Sequence, residues 1–297
     1  MDDRKGMKPP RAILIAGPTA AGKSALALRL AQRQRSVIVN ADSMQVYSDL
    51  SILTARPSAR EQDAVPHALY GHIAGGDAYS VGRWLADATA VLEAAWAGGR
   101  VPVVVGGTGL YFKALLEGLA PIPDIPSPIR THWRAEAARL GAGQLHRLLA
   151  DRDPAMAGRL RSGDTQRLTR ALEVLEATGQ SLLEWQRQAG RPVLSEAETE
   201  RWVVAPDRAL VQARADARFD AMIAAGAVDE VQRLAALGLS RDLPVMRALG
   251  VAPLVDFVEG RASLAAAVAR AKLDTRRYIK RQETWLRRNM MSWLVHL

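Results

Sequence analysis

Arg11-Ala12-Ile13-Leu14-Ile15-Ala16 runs without a break into Gly17-Pro18-Thr19-Ala20-Ala21-Gly22-Lys23-Ser24, and from Lys23 to Gln34 leucines and alanines recur at helical spacing. An apolar run, a glycine-rich turn and a helical pattern read as strand, loop, helix. The turn fits G-x-x-x-x-G-K-[ST], and it stands where that pattern has a mechanism. Its glycines let successive backbone N–H groups point inward around phosphate oxygens, and the helix N-terminus adds partial positive charge. Lys23 then reaches the outer phosphates, and the Ser24 hydroxyl can ligate Mg²⁺, the expected cofactor. The motif leaves open which phosphate compound binds and whether a phosphoryl group moves.

Outward from this loop, Ser36-Val37-Ile38-Val39-Asn40 reads as a second buried strand. Val81 to Ala97 carries Trp84, Leu85, Ala88, Val91, Leu92 and Ala95 at three-to-four spacing, Gly98-Gly99 stops that helix, and Val101 to Val105 forms a β-branched strand. Strands separated by helices imply a parallel sheet. The texture changes at Pro121, Pro123, Pro126 and Pro128, after which helical patterns dominate to about Glu200. Trp202-Val203-Val204-Ala205 reads as a returning strand, and helices are expected from there to Leu297. The expected architecture is therefore α/β: a P-loop parallel-sheet core over residues 1–120 and 201–297, interrupted by an all-helical domain over 121–200. No tail beyond the first few residues has a disordered composition.

With 297 residues, 48% hydrophobic and 24% charged, the chain can bury a full core. No apolar run approaches the roughly 18 residues of a membrane span, and the first residues lack the apolar core of a secretory signal. A cytoplasmic protein is expected, acting as a monomer. Zero cysteines exclude disulfides, thiolate zinc sites and cysteine nucleophiles, and the five histidines show no paired metal spacing. The net charge of +9 suits a polyanionic partner or an arginine-rich composition alike. Its placement is more telling: Arg270 to Asn289 holds eight basic residues against Asp274 and Glu283, whereas residues 121–200 balance eleven Arg with eleven acids. That basic stretch interleaves Arg276, Arg277, Lys280 and Arg281 with Tyr278 and Trp285, as a phosphate-backbone surface would, and as a solvated amphipathic helix also would.

A nucleoside triphosphatase normally ends a later strand in an aspartate that supports Mg²⁺ and the attacking water. Here Val101 to Val105 ends in Gly106-Gly107-Thr108-Gly109-Leu110-Tyr111. A hydroxyl without a carboxylate argues against hydrolysis and for phosphates that leave together, unless another strand supplies the acid. Asp42, in Asn40-Ala41-Asp42-Ser43-Met44-Gln45-Val46-Tyr47, falls at the carboxyl end of the second strand, where ligand chemistry gathers in open α/β sheets. It could bind Mg²⁺, cap the next helix or accept a proton. Arg214 and Arg218 lie one helical turn apart, suited to a solvated face or to a diphosphate.

Six stretches in this order resemble the tRNA dimethylallyltransferases: Gly17 to Ser24, Asp42 to Tyr47, Thr54-Ala55-Arg56-Pro57, Gly106 to Tyr111, Gln166-Arg167-Leu168-Thr169-Arg170-Ala171-Leu172-Glu173, and Thr275 to Gln282. The resemblance runs from about Arg11 to Arg288. Ala21 and Ser24 stand where the family commonly has Ser and Thr, and Arg56 stands where it usually has Lys, which puts that one phosphate contact in question. The family's zinc-finger extension is not found.

The resemblance implies transfer of a dimethylallyl group from dimethylallyl diphosphate to N6 of the adenosine 3′ of the tRNA anticodon. It assigns Asp42 as the base that takes the amine proton and Thr108 as a catalytic hydroxyl. The P-loop, Mg²⁺ at Ser24, Arg214 and Arg218 would carry the leaving diphosphate. The target base would be flipped out against Asp42, Ser43, Met44 and Gln45, with the Gln45 amide available to an adenine edge. The anticodon stem-loop would meet Arg130, the stretch Gln166, Arg167, Leu168, Thr169 and Arg170, and the basic residues Arg276, Arg277, Lys280 and Arg281. Leu168, Leu172 and Leu175 also mark the buried side of their helix, as in any core helix. Two other readings share these features: a small-molecule P-loop kinase with an inserted lid, and a nonenzymatic RNA-binding protein whose P-loop only grips phosphate.

Overall fold

The structure, a computed structural model, describes residues 10–296; the basic start of the chain lies outside them. Five buried residues form β1 (Ala12–Ala16) and five more form β2 (Ser36–Asn40), continuous apolar runs of the kind a strand covered on both faces requires. Along the chain follow α1 (Lys23–Ala31) between those strands, then α2 (Ala59–Ala64), β3 (His67–Ala68), α3 (Val81–Ala97), β4 (Val101–Gly106) and α4 (Gly109–Glu117). Four helices come next: α5 (Ser127–Arg152), α6 (Pro154–Ala157), α7 (Thr165–Thr178) and α8 (Leu182–Arg187). The chain closes with β5 (Thr199–Val204), α9 (Arg208–Ala224), α10 (Ala227–Ala236), α11 (Val251–Val258), α12 (Leu264–Asn289) and β6 (Leu294–His296).

The chain divides into two compact units, one running through Leu116 and resuming at Val193, the other Glu117–Pro192. In the first, six strands lie in the order β3-β2-β4-β1-β5-β6, every pair parallel. Alternation sorts its strand residues onto two faces. Leu14, Val39 and Val104 pack with Trp84, Leu92 and Phe112, whereas Ile13, Ile15, Ile38, Val103 and Val105 pack with Leu26 and Ala27 of α1. Val193 and Leu194 both donate their amide hydrogens to the Leu115 carbonyl, so the chain rejoins this unit ahead of β5 and ahead of residue 201.

Two strands escape the sequence reading. β3 has two residues, too few for a period, and β6 lies where only helix was expected; Leu294 and Val295 are exposed, so β6 lacks the buried alternation that marks a strand. The second unit is built of α5 to α8 around Trp133, Leu145, Leu149, Leu168 and Leu172. No helix among the described residues is long and apolar enough to cross a membrane.

Candidate active site at the carboxyl edge of the sheet

Register brings three loops together. Ala16 of β1 pairs with Gly106 of β4, and Asn40 of β2 pairs with Val105, so Gly17, Ala41 and Gly107 leave neighbouring strands at one level. Only glycine fits at the crossing point: a Cβ on Gly106 would stand 2.0 Å from the Ala41 carbonyl oxygen, and one on Gly107 would stand 2.3 Å from Nε2 of Gln282. Close approach thus requires both glycines of Gly106-Gly107-Thr108.

The P-loop turns through Ala20 and Gly22, both at positive φ, and Gly22 opens α1. Lys23 Nζ donates to the Pro18 carbonyl at 2.7 Å. Lost solvation lowers the Lys23 pKa to about 8; Asp42 opposes that shift and the Arg218 guanidinium adds to it. Arg218 donates to the Thr19 hydroxyl at 2.6 Å, and its own pKa is lowered by burial against the pull of Asp42. Arg214, one turn earlier, is exposed and has no carboxylate partner among the described residues. Of this pair, Arg218 is the one with a hydrogen bond to the loop among the described residues.

Asp42 is held rather than left swinging. Its amide donates to Asn40 Oδ1 at 2.8 Å, and Asn40 Nδ2 donates to the carbonyls of Asp42 and Leu69. The Trp84 indole donates to the Asn40 carbonyl at 2.8 Å, and Tyr111 stacks on Trp84 at 4.0 Å. Asp42 Oδ1 accepts from the Met44 amide at 2.9 Å, capping a turn and no helix, while Oδ2 has no donor among the described residues. Burial first and the Asp42 charge second push the phenol pKa values of Tyr70, Tyr111 and Tyr278 upward. Thr108 Oγ1 accepts from the Ser43 amide at 3.0 Å and donates to Ser43 Oγ at 3.3 Å, which fixes the hydroxyl beside Asp42.

Gln45 Nε2 donates to the carbonyls of Thr54 and Ala55, at 2.8 and 3.0 Å. Arg56 crosses residue 71 so closely that a Cβ there would fall 1.4 Å from Nη1, and it donates to the Ser48 carbonyl. Glycine at residue 71 is what leaves room for the Arg56 side chain on this path. A cleft of about 510 Å³ lies beside this turn, lined by Ser51, Ile52, Ala55, Arg56 and Tyr70 among others.

The basic helix α12 is less uniformly charged than its sequence. Arg276 forms a two-pronged ion pair with Asp216 of α9, Lys272 pairs with Asp220 at 2.6 Å, Arg270 with Asp256 at 2.9 Å, and Arg277 with Asp274 at 3.6 Å. Lys280, Arg281, Arg287 and Arg288 have no carboxylate partner among the described residues. The Arg281 guanidinium lies 5.5 Å above the Tyr278 ring. In the second unit, Gln166 and Arg167 are exposed and Arg170 is half-buried against Glu173. Leu168 is fully buried in that unit's core, and the Thr169 hydroxyl donates to the Thr165 carbonyl, so neither side chain faces outward. Arg130 lies in α5 with its Nε buried and unpartnered.

Ser24 is exposed on the first turn of α1, and no cluster of three acidic or histidine side chains suited to a metal exists among the described residues. That donor set fits Mg²⁺, which keeps most of its waters and binds through one protein oxygen plus phosphate.

Three residues that shape the site were not singled out from sequence. Gln282 and Glu230 are polar residues at helical spacing within buried stripes, beside Ile279 and Leu286 and beside Ala227 and Val231. Asn40 ends an otherwise apolar strand. A polar side chain inside an apolar period is the signal that marks them.

Residues 45–289 match the IPP transferase family and residues 10–67 the isopentenyl transferase family. The chain is 54% identical to the tRNA dimethylallyltransferase of Azorhizobium caulinodans over 98% of this chain and 93% of that one. It is 55% identical to that of Methylobacterium nodulans, over 96% and 95%. Among solved structures, the tRNA isopentenylpyrophosphate transferase of Bacillus halodurans aligns with TM-score 0.68 and 31% identity, over 96% of this chain and 89% of that one. A eukaryotic dimethylallyltransferase captured acting on tRNA aligns with TM-score 0.80 and 26% identity, over 93% and 69%.

Proposed function

This chain belongs to the IPP transferase family, and on that premise we propose that it moves a dimethylallyl group from dimethylallyl diphosphate to N6 of the adenosine 3′ of the anticodon in tRNA, releasing diphosphate. The observation that carries the reading is the neighbourhood of β1, β4 and β2: a P-loop, then a strand ending in glycine and threonine, then a carboxylate on the far side. Such an arrangement suits a diphosphate held at the P-loop, with the carboxylate two strands away, where it serves the acceptor amine rather than a water at the phosphates.

In the reaction, N6 of the flipped adenosine forms a bond to the first carbon of the prenyl group as the bond from that carbon to the diphosphate oxygen breaks. The electron pair leaves with the diphosphate, and the N6 proton passes to Asp42, whose Oδ2 is not engaged by any described donor. The amides of Gly17 to Ser24, Lys23 and Arg218 take up the charge that develops on the leaving group. Thr108 shares its hydrogen with Ser43 over a long 3.3 Å and turns it to the diphosphate. Ser24 would hold Mg²⁺, which when bound spreads the charge of the diphosphate oxygens.

Gln45 lies along the target base. The free cations of α12, the exposed Gln166 and Arg167, and the half-buried Arg170 take the phosphates of the anticodon arm. We read the chain as a cytoplasmic monomer. Incubation with Mg²⁺, dimethylallyl diphosphate and tRNA, followed by digestion and mass spectrometry, should reveal a prenylated adenosine and one diphosphate per transfer. Formation of a nucleoside diphosphate from ATP instead would establish the kinase reading.

A further inference from the structure

Glu230 is a carboxylate buried to 3% exposure with no basic partner among the described residues, and its two oxygens are filled by one turn of backbone. Oε1 accepts from the Ser51 amide at 2.6 Å, the Ser51 hydroxyl at 3.0 Å and the Ile52 amide at 2.8 Å. Oε2 accepts from the Leu53 amide at 2.9 Å. Four donors on one carboxylate hold residues 51–53 in a single conformation. The next two carbonyls, those of Thr54 and Ala55, are the ones that take both hydrogens of Gln45 Nε2. Rotating the Gln45 amide by half a turn would set its oxygen against two carbonyl oxygens, so its orientation is imposed by the turn. Gln45 Oε1 is left over, with no donor among the described residues.

We propose that Glu230 is a positioning residue for base selection: by holding the 51–53 turn it locks Gln45 with an acceptor toward the base. An acceptor is satisfied by an exocyclic amino group and repelled by an exocyclic carbonyl. The site thereby favours adenine over hypoxanthine, which carries a carbonyl at the same place. This inference rests on the reading that Gln45 lies along the target base.

The test uses the full-length protein without prenyl donor and measures the Kd of two anticodon stem-loops that differ only in adenosine or inosine at the target position. Four chains are compared: the parent, Glu230→Gln, Gln45→Ala and the double variant. Glu230→Gln keeps one oxygen for Ser51 and Ile52 but turns an amino group against the Leu53 amide. The parent should prefer adenosine by roughly tenfold, the order of one well-placed hydrogen bond with its repulsive counterpart. Each single variant should bring the ratio near one, and the double should go no further, since both act through the same amide. A ratio of two Kd values cancels the active fraction, so partial unfolding of Glu230→Gln does not imitate the effect. If Gln45→Ala erases the preference while Glu230→Gln keeps it, or if the two losses add, the role of Glu230 is overturned and that of Gln45 stands. If neither variant changes the ratio, Gln45 does not read the base, and both inferences fall.

Discussion

Gln282 accepts the amide hydrogen of Thr19 at 2.9 Å across 263 positions of sequence. The same side chain donates to the Gly107 carbonyl at 3.0 Å. One amide on α12 therefore joins the P-loop to the loop that carries Thr108, and it uses a donor and an acceptor that would otherwise be half-buried without partners.

Replacing Gln282 by leucine keeps the bulk and removes the bridge. Each stranded backbone group costs about 1–3 kcal/mol when desolvated, so the midpoint of urea unfolding should fall. Catalytic efficiency toward dimethylallyl diphosphate should drop by roughly tenfold or more, with the Kd for tRNA changing little, because the displaced loops are the ones proposed to bind the diphosphate. Equal losses toward both substrates in steady-state assays would place Gln282 outside the diphosphate site.

Asp42→Asn retains the acceptor that caps Met44 and loses the group that takes a proton. Transfer should slow by roughly 100-fold or more while tRNA affinity stays near the parent value. Unchanged single-turnover rates would remove Asp42 from proton transfer.

The lowered pKa of Lys23, about 8, sets a pH dependence for diphosphate binding. Below that value the free protein presents a charged ammonium to the diphosphate. Above it the ammonium is lost, and binding requires uptake of a proton. The KM for dimethylallyl diphosphate should thus rise as pH passes through about 8. Lys23→Arg should flatten that rise, since a guanidinium stays charged throughout. For folding the sign is opposite: burial disfavours the charged form, so this group's contribution to stability increases from pH 8 toward the unfolded value of 10.5.

Salt dependence should separate the cations of α12. Lys280→Ala with Arg281→Ala removes two charges that have no acid partner among the described residues and should lower the slope of log Kd against log salt by roughly two. Arg276→Ala removes a charge already neutralised by Asp216 and should change the slope less. Filter binding at several salt concentrations decides, and equal slopes in all variants would place α12 outside the RNA interface.

Leu168→Ala should act on the fold of the helical unit. A fully buried leucine in a packed core costs roughly 2–5 kcal/mol on truncation, visible in denaturant unfolding. Arg167→Ala, on an exposed side chain, should leave stability near the parent value and weaken tRNA binding.

Local chemistry was legible from the chain alone. β1, the P-loop and α1 form one short stretch in which apolar residues, glycines and a helical period each specify their own conformation, and Asp42 and Thr108 follow strands whose buried runs are continuous. The family resemblance drew on the same local motifs. Tertiary structure decided what depends on partners distant in sequence. Only pairing register sets the exits of β1, β2 and β4 side by side. Only the packing of α9 against α12 shows that Arg276 is already neutralised and that Arg218, one turn from the exposed Arg214, reaches Thr19. Gln282 and Glu230 meet loops 175 to 263 and 177 to 179 positions away, distances over which no sequence period carries information. Short-range patterns encode the shape of a segment, whereas the partner of a buried polar group is chosen by the whole fold, because its desolvation must be offset wherever the chain brings a donor or an acceptor within reach.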